Sequence, residues 1–328
     1  MFLRVSCTDL KKWVSLFCFL AGLVLFPTIS FGSYAVIDAH SGRVLYEDQG
    51  DLQLPPASIT KIWTVYVALQ EADVSDQVRI SRVASQQEGS SVYLIENEVW
   101  SLESLLYGTM LQSGNDAAAA IAEHVAGSEA AFATLMNFYV KKAGVKNTWF
   151  MNASGLHHPK HLTTASDMGK LFAIAMNDEK FRQIASMKQY VPKERRVLWM
   201  NKHRLVKENK AFAGKTGYTS VAGRTLISEF IKDDKRLIVT TLNVRDDWNS
   251  HTSLSRLAFD STTLQTIEGT YYAQHDVILT VPMPFRYLQK EDESISHTVV
   301  LSKQSKVGEW SIQAGGQTLR FPVIYRMK

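Results

Sequence analysis

The chain changes its hydrophobic period part-way along, and that change restricts its architecture more than any other feature. Between residues 102 and 143 apolar side chains stand at helical spacing: Leu105, Leu106, Met110 and Leu111, then the alanine-rich stretch 117–126, then Phe132, Leu135, Met136 and Tyr139. Such spacing buries one face of a helix, so three helices broken near Ser113-Gly114 and Gly127 are expected. A further helix is expected over 166–176, with Ser166 as its N-cap. From residue 212 the runs become β-like, at 212–217, 225–230 and 237–242, with Asp233-Asp234 as the turn between the last two. Two shorter runs, 34–38 and 43–46, flank the turn-like Ala39-His40-Ser41-Gly42 and read as a hairpin. Helices and strands kept in separate blocks imply the α+β variety of α/β fold, an antiparallel sheet flanked by a helical cluster, over residues 33–262. Beyond it, β-like runs at 277–281, 297–301, 310–313 and 318–325 predict a small β domain, residues 263–328.

The first 32 residues follow a different logic. Arg4, Lys11 and Lys12 precede the apolar run 13–25, which gives way at Phe26-Pro27 to Ser30-Phe31-Gly32. That order is the order of a secretory signal cleaved before Ser33; the alternative is an uncleaved anchor. Either reading exports the rest of the chain to the cell envelope, as the outer face of the membrane, periplasm or wall. Both cysteines, Cys7 and Cys18, lie inside the segment, so a chain starting at Ser33 has no disulfide, thiolate or Cys-ligated metal. Removing the segment takes away three basic side chains and one acidic one, lowering the formal charge from +4 to +2, too small an excess to predict a nucleic-acid partner.

After Pro55-Pro56, apolar residues at Ile59, Trp63, Tyr66, Val67 and Leu69 predict a helix with Ser58 in its first turn. Ser58-Ile59-Thr60-Lys61 then sets a serine and a lysine three apart, on one helix face, where their side-chain ends can meet. Ser113-Gly114-Asn115 follows 55 residues later at a predicted helix break, and Lys215-Thr216-Gly217 a further 102 residues on, in a predicted strand. Taken singly these are an ordinary helix start, an N-cap and a strand ending in a turn; the three in order are a much stronger signal.

The set Ser-x-x-Lys, Ser-x-Asn and Lys-Thr-Gly resembles that of the penicillin-recognising serine enzymes. Its flanks, Pro56-Ala57 before Ser58, Asp116-Ala117 after Asn115, Asn152-Ala153-Ser154-Gly155-Leu156, His161-Leu162-Thr163-Thr164-Ala165 and Tyr218-Thr219, are similar to those of the low-molecular-weight D-alanyl-D-alanine carboxypeptidases. The resemblance covers residues 33–260 or so and implies a penicillin-binding, β-lactamase-like transpeptidase domain. It also implies hydrolysis of the terminal D-alanine of peptidoglycan stem pentapeptides through an acyl-Ser58 intermediate, without metal or organic cofactor, and covalent inhibition by β-lactam antibiotics.

The expected roles follow from acyl transfer. Ser58 needs a base, and Lys61 serves only if burial and cations such as Lys215 lower its pKa by roughly two units or more from about 10.4. The resemblance assigns Ser113 to proton relay and Asn115 to Lys61 and the substrate amide. It assigns Lys215, Thr216 and Gly217 to the peptide and its terminal carboxylate, and the backbone N–H groups of Ser58 and Tyr218 to the oxyanion. His161 is expected near the cleft. For an arginine holding the substrate carboxylate, Arg224, Arg245 and the alternative His251 all remain open.

Neighbouring readings are weaker. No Glu-x-x-Leu-Asn string lies between Asn115 and Lys215, so a class A β-lactamase is disfavoured. His157, His158 and His161 around Pro159 raise a zinc site, but no Cys remains and no His-Glu-x-x-His is present. A D,D-endopeptidase cutting cross-links would use the same residues, and a non-catalytic β-lactam or muropeptide sensor would not need the full set. The C-terminal stretch 319–325 alternates like a strand rather than a basic amphipathic helix, which leaves membrane-surface association to the N-terminal segment.

Overall fold

The computed structural model describes residues 32–273, 277–302 and 305–327. The segment expected to direct export, residues 1–32, lies outside them apart from Gly32.

The principal elements are strands β1 (Ser33–Asp38) and β2 (Val44–Asp48), then helices α1 (Lys61–Glu71), α2 (Leu102–Tyr107), α3 (Asn115–Ala126), α4 (Glu129–Lys142), α5 (Ala165–Ala175) and α6 (Glu179–Ser186). Strands β3 (Ala213–Thr219), β4 (Gly223–Lys232) and β5 (Lys235–Leu242) follow, then helix α7 (Asp247–Asp260). Five longer strands complete the described chain: β6 (Thr262–Tyr272), β7 (Val277–Lys290), β8 (Ile295–Leu301), β9 (Val307–Ala314) and β10 (Gln317–Met327).

The first hairpin does not stand alone: β1 inserts beside β5, from Ser33 opposite Leu242 to Asp38 opposite Leu237, giving an antiparallel sheet of order β2-β1-β5-β4-β3. Alternation along each strand then feeds two cores. Ala35, Ile37, Ile238 and Leu242 face the helical cluster, while Val36, Leu237 and Val239 face the opposite side, against Ala258 of α7 and Leu288 of β7. Asp233 and Asp234 both have positive φ, +49° and +61°, as a two-residue hairpin turn between right-twisted strands requires.

Helix α7 escaped the hydrophobic pattern because its buried stripe is polar: Asp247, His251, Ser255 and Ala258 stand at helical spacing, but only one is apolar. The N-cap of α5 is Thr164 rather than Ser166. The Thr164 hydroxyl accepts the Asp167 N–H at 3.0 Å, while Ser166 lies inside the first turn and donates to Glu47 Oε2 at 3.0 Å.

The C-terminal β domain is a second antiparallel sheet, order β6-β7-β10-β9-β8, with its own core around Trp310, Ile312, Phe321 and Val323. Strand β7 runs through Pro282 and Pro284. Both fall where its register with β6 shifts, between Phe285 opposite Ile267 and Val281 opposite Gly269, so neither proline removes a needed ladder donor. Among the described residues no helix is long and apolar enough to cross a membrane.

Candidate active site

Pro55 and Pro56 cannot extend a helix backwards, and the chain enters α1 through a 3₁₀ turn, Ala57–Thr60. In that tighter spiral side chains at i and i+3 eclipse, so Ser58 and Lys61 are aligned more closely than an α-helix would align them. Ala57, immediately before the serine, has φ +50°, a strained conformation for a residue with a Cβ. The turn is held from two sides. The Thr225 hydroxyl of β4 donates to the Pro56 carbonyl at 2.8 Å, and Gly155, φ +82°, packs so closely that a Cβ there would lie 1.9 Å from the Ala57 carbonyl oxygen.

Lys61 is wholly buried and its ammonium nitrogen donates to three oxygens: Ser58 Oγ at 3.0 Å, Asn115 Oδ1 at 2.7 Å and the Ser154 carbonyl at 2.5 Å. Burial, assisted by the positive charge of Lys202, pushes its pKa down to about 7 against the opposing pull of Asp116 and Glu129. At neutral pH a large share of Lys61 is therefore an unprotonated amine beside the Ser58 hydroxyl.

Ser113 closes a π-helical turn, Gly108–Gln112, in the left-handed region at φ +61°. Its hydroxyl accepts from Lys215 Nζ at 3.0 Å, and the same ammonium donates to the Thr216 carbonyl at 2.8 Å. Burial and then the charges of Lys61 and Lys202 hold Lys215 well below the usual lysine pKa. Asn115 is oriented by its own Nδ2, which donates to the Glu88 carbonyl at 2.6 Å, so the oxygen of the amide faces Lys61. The polypeptide thus brings together two hydrogen-bonded groups, Ser58–Lys61–Asn115 and Ser113–Lys215, close enough that the charge of Lys61 acts on Lys215. Gly217 lies against the Ser58 turn, where a Cβ would come 2.8 Å from the Ser58 nitrogen and 2.3 Å from Thr225 Oγ1. Thr216 is half-buried beside it, and the Tyr218 ring is exposed at the cleft mouth.

Other sequence-expected residues lie outside these groups. His161 is buried behind them, its Nε2 2.9 Å from Thr60 Oγ1 and its Nδ1 accepting the Met151 N–H at 3.2 Å. Burial and nearby positive charge push its pKa down to about 3, so it stays neutral with the proton on Nε2. Both its nitrogens are engaged, and among the described residues no group of His, Cys, Asp and Glu is arranged to hold a metal ion. Arg224 pairs in register with Tyr218 and makes a two-pronged ion pair with Asp247, at 2.8 and 3.0 Å. Arg245 is exposed beyond the end of β5. His251 is buried on the far side of the sheet, between Thr241 Oγ1 at 3.1 Å and Ser228 Oγ at 2.8 Å.

Three contributors went unassigned in the sequence. The Ser154 carbonyl cannot be read from a side-chain pattern. Asp116 is buried and accepts from Ser91 Oγ at 2.6 Å, Val92 N at 3.0 Å and Leu94 N at 3.1 Å, tying down the segment that wraps Asn115. A carboxylate directly after Ser-Gly-Asn was the available signal for it. Lys202 carried none, because a lysine in a basic stretch reads as solvated surface.

A family model described as D-alanyl-D-alanine carboxypeptidase matches residues 23–246, the span that contains the whole cluster. The chain belongs to the D-alanyl-D-alanine carboxypeptidase family. Among curated carboxypeptidases of this family, DacC of Escherichia coli K12 is 35% identical over 240 residues, covering 67% of this chain and 58% of the relative. The chain thus spans little more than half the length of that relative. Among solved structures, penicillin-binding protein 5 of Haemophilus influenzae superposes with a TM-score of 0.77 at 24% identity, over 93% of this chain and 99% of the other, a likeness of fold. A carboxypeptidase of the same description from Mycobacterium tuberculosis H37Rv gives 0.66 at 28% identity, over 70% and 90%.

Proposed function

We propose that this protein is a D-alanyl-D-alanine carboxypeptidase of the cell envelope, exported by residues 1–32, with a catalytic domain at 33–262 and a β domain at 263–328. The observation that carries the reading is the buried lysine amine 3.0 Å from a serine hydroxyl, with a proton affinity lowered to about 7.

In this reading Ser58 Oγ attacks the carbonyl carbon of the peptide bond between two D-alanines while its proton passes to Lys61 Nζ. The oxyanion is met by the backbone N–H groups of Ser58 and Tyr218, the part of the site that Gly217 keeps open. Collapse breaks the C–N bond, and the leaving amine takes a proton through Ser113, whose hydroxyl is bonded to Lys215. That proton is the one Lys61 took from Ser58, so Lys61 is a base again when water attacks the acyl-Ser58 carbonyl; the ester C–O bond then breaks, Ser58 Oγ takes the proton back and the shortened peptide leaves as its carboxylate. The terminal carboxylate is assigned to Lys215 and Thr216, joined by Arg224, which alone of the three open candidates pairs across the sheet with Tyr218. His161 is assigned to bracing Thr60 beside the nucleophile. A β-lactam would enter as an acyl donor and remain on Ser58.

The test is to incubate the purified protein with a labelled penicillin, to locate the adduct by mass spectrometry, and to measure D-alanine released from a stem pentapeptide. An adduct on Ser58 that Ser58→Ala lacks, together with release of D-alanine, is the expected outcome. No adduct on Ser58 would remove the mechanism.

A further inference from the structure

Resting on the carboxypeptidase reading, we infer that Lys202 is a specificity determinant of the cleft, its ammonium receiving a carboxylate carried on the acyl arm of the substrate. The preferred substrates are then anionic peptides ending in D-Ala-D-Ala rather than neutral ones with the same ending.

Three observations carry this. First, Lys202 stands at the cleft rim, held by its own backbone: its N–H donates to the Leu111 carbonyl at 3.1 Å, next to the π-helical turn that delivers Ser113. Its side chain crosses to the opposite lip, where Nζ lies 3.4 Å from Ser90 Oγ. Ser90 is itself fixed, since its carbonyl accepts the Asn115 N–H at 2.7 Å. The cation therefore sits on the Asn115 side of the cleft, away from the Lys215–Thr216 edge assigned to the terminal carboxylate.

Second, Lys202 lacks a carboxylate that several of its neighbours have. In the surrounding basic stretch Lys193 pairs with Glu103, Arg195 with Glu98, and Arg204 and Lys210 with Glu208. Among the described residues no carboxylate lies within ion-pair distance of Lys202. Its side chain is exposed, and a cation that has only a neutral hydroxyl to donate to gains from an incoming anion.

Third, Lys202 lies close enough to lower the proton affinities of Lys61 and Lys215, so its field reaches the reacting centre. An anion bound at Lys202 is therefore an anion bound in the cleft and not on a remote surface.

The test compares two peptides that differ in one charge: Nα-acetyl,Nε-acetyl-L-Lys-D-Ala-D-Ala and its Nε-succinyl counterpart, which ends that side chain in a carboxylate. For each, kcat/KM for D-alanine release is measured in the wild type, Lys202→Met and Lys202→Arg. The ratio of the two values is insensitive to any change in Lys61, because both peptides use the same base. We expect the wild type to favour the succinyl peptide about five- to tenfold at low salt, the worth of one partly exposed charge-assisted contact. Lys202→Met should bring the ratio to about one and Lys202→Arg should preserve it, with the preference shrinking as salt is raised. A wild-type ratio of one, or a preference that Lys202→Met leaves in place, overturns the inference while the carboxypeptidase reading stands. Release from neither peptide removes both.

Discussion

A lysine amine in water holds its proton to a pH of about 10.4, and Lys61 gives it up near 7 because no water reaches it and Lys202 lies nearby. The protonated form cannot accept the Ser58 proton, so kcat/KM should rise with pH through an acid limb near 7, the limb that reports the free enzyme. Lys202→Met takes a positive neighbour away and makes the protonated form of Lys61 easier to keep. Its acid limb should therefore move to higher pH in a pH–rate profile; a move to lower pH would contradict the assignment of Lys61 as base. Substitution at Ser113 or Asn115 would disturb the same cluster directly, which makes Lys202 the cleaner probe of the field.

At the scale of elements, the cluster depends on a short segment without regular structure, residues 88–94, that wraps the start of α3. Its anchor is the buried Asp116 carboxylate, which accepts two backbone N–H groups and the Ser91 hydroxyl. Asp116→Ala leaves these donors without a partner and should cost about 3 kcal/mol, read as a lower urea midpoint at unchanged slope. The rate of penicillin acylation should fall as well, since Glu88 and Ser90 hold the Asn115 amide and backbone. Thr164→Ala, which removes only the N-cap of α5, should cost nearer 1 kcal/mol and leave acylation unchanged. The contrast separates a helix end that stabilises from a loop anchor that also shapes the site.

At the scale of the molecule, the first hairpin carries several of the contacts that join the catalytic sheet to the C-terminal sheet. Arg43, buried, forms an ion pair with Glu293 at 2.5 Å, Asp38 accepts the Leu288 N–H at 2.9 Å, and Gln317 exchanges hydrogen bonds with the backbone of Val44. Glu293→Ala would strand the Arg43 charge away from water and should destabilise by about 3–5 kcal/mol, whereas replacing both partners by Met should cost much less. Thermal or urea unfolding of the two single variants and the double variant measures that coupling.

Much of this was legible in the residues. The three-residue separation of Ser58 and Lys61, the positive-φ turn at Asp233-Asp234 and the β-type run of β5 are local matters, settled by backbone geometry within a few residues. Helix α7 was not legible, because its buried stripe of Asp247, His251 and Ser255 is polar, and Asp247 and His251 find their partners on the sheet, at Arg224, Thr241 and Ser228. Nor could the sequence place Lys215 against Ser113, set Lys202 over Ser90 or bury Arg43 with Glu293, since each pair joins residues more than a hundred positions apart. Residue order determined which chemical groups the chain carries and how neighbours along it are spaced. Tertiary structure alone decided how much water each group keeps, and proton affinity follows from that.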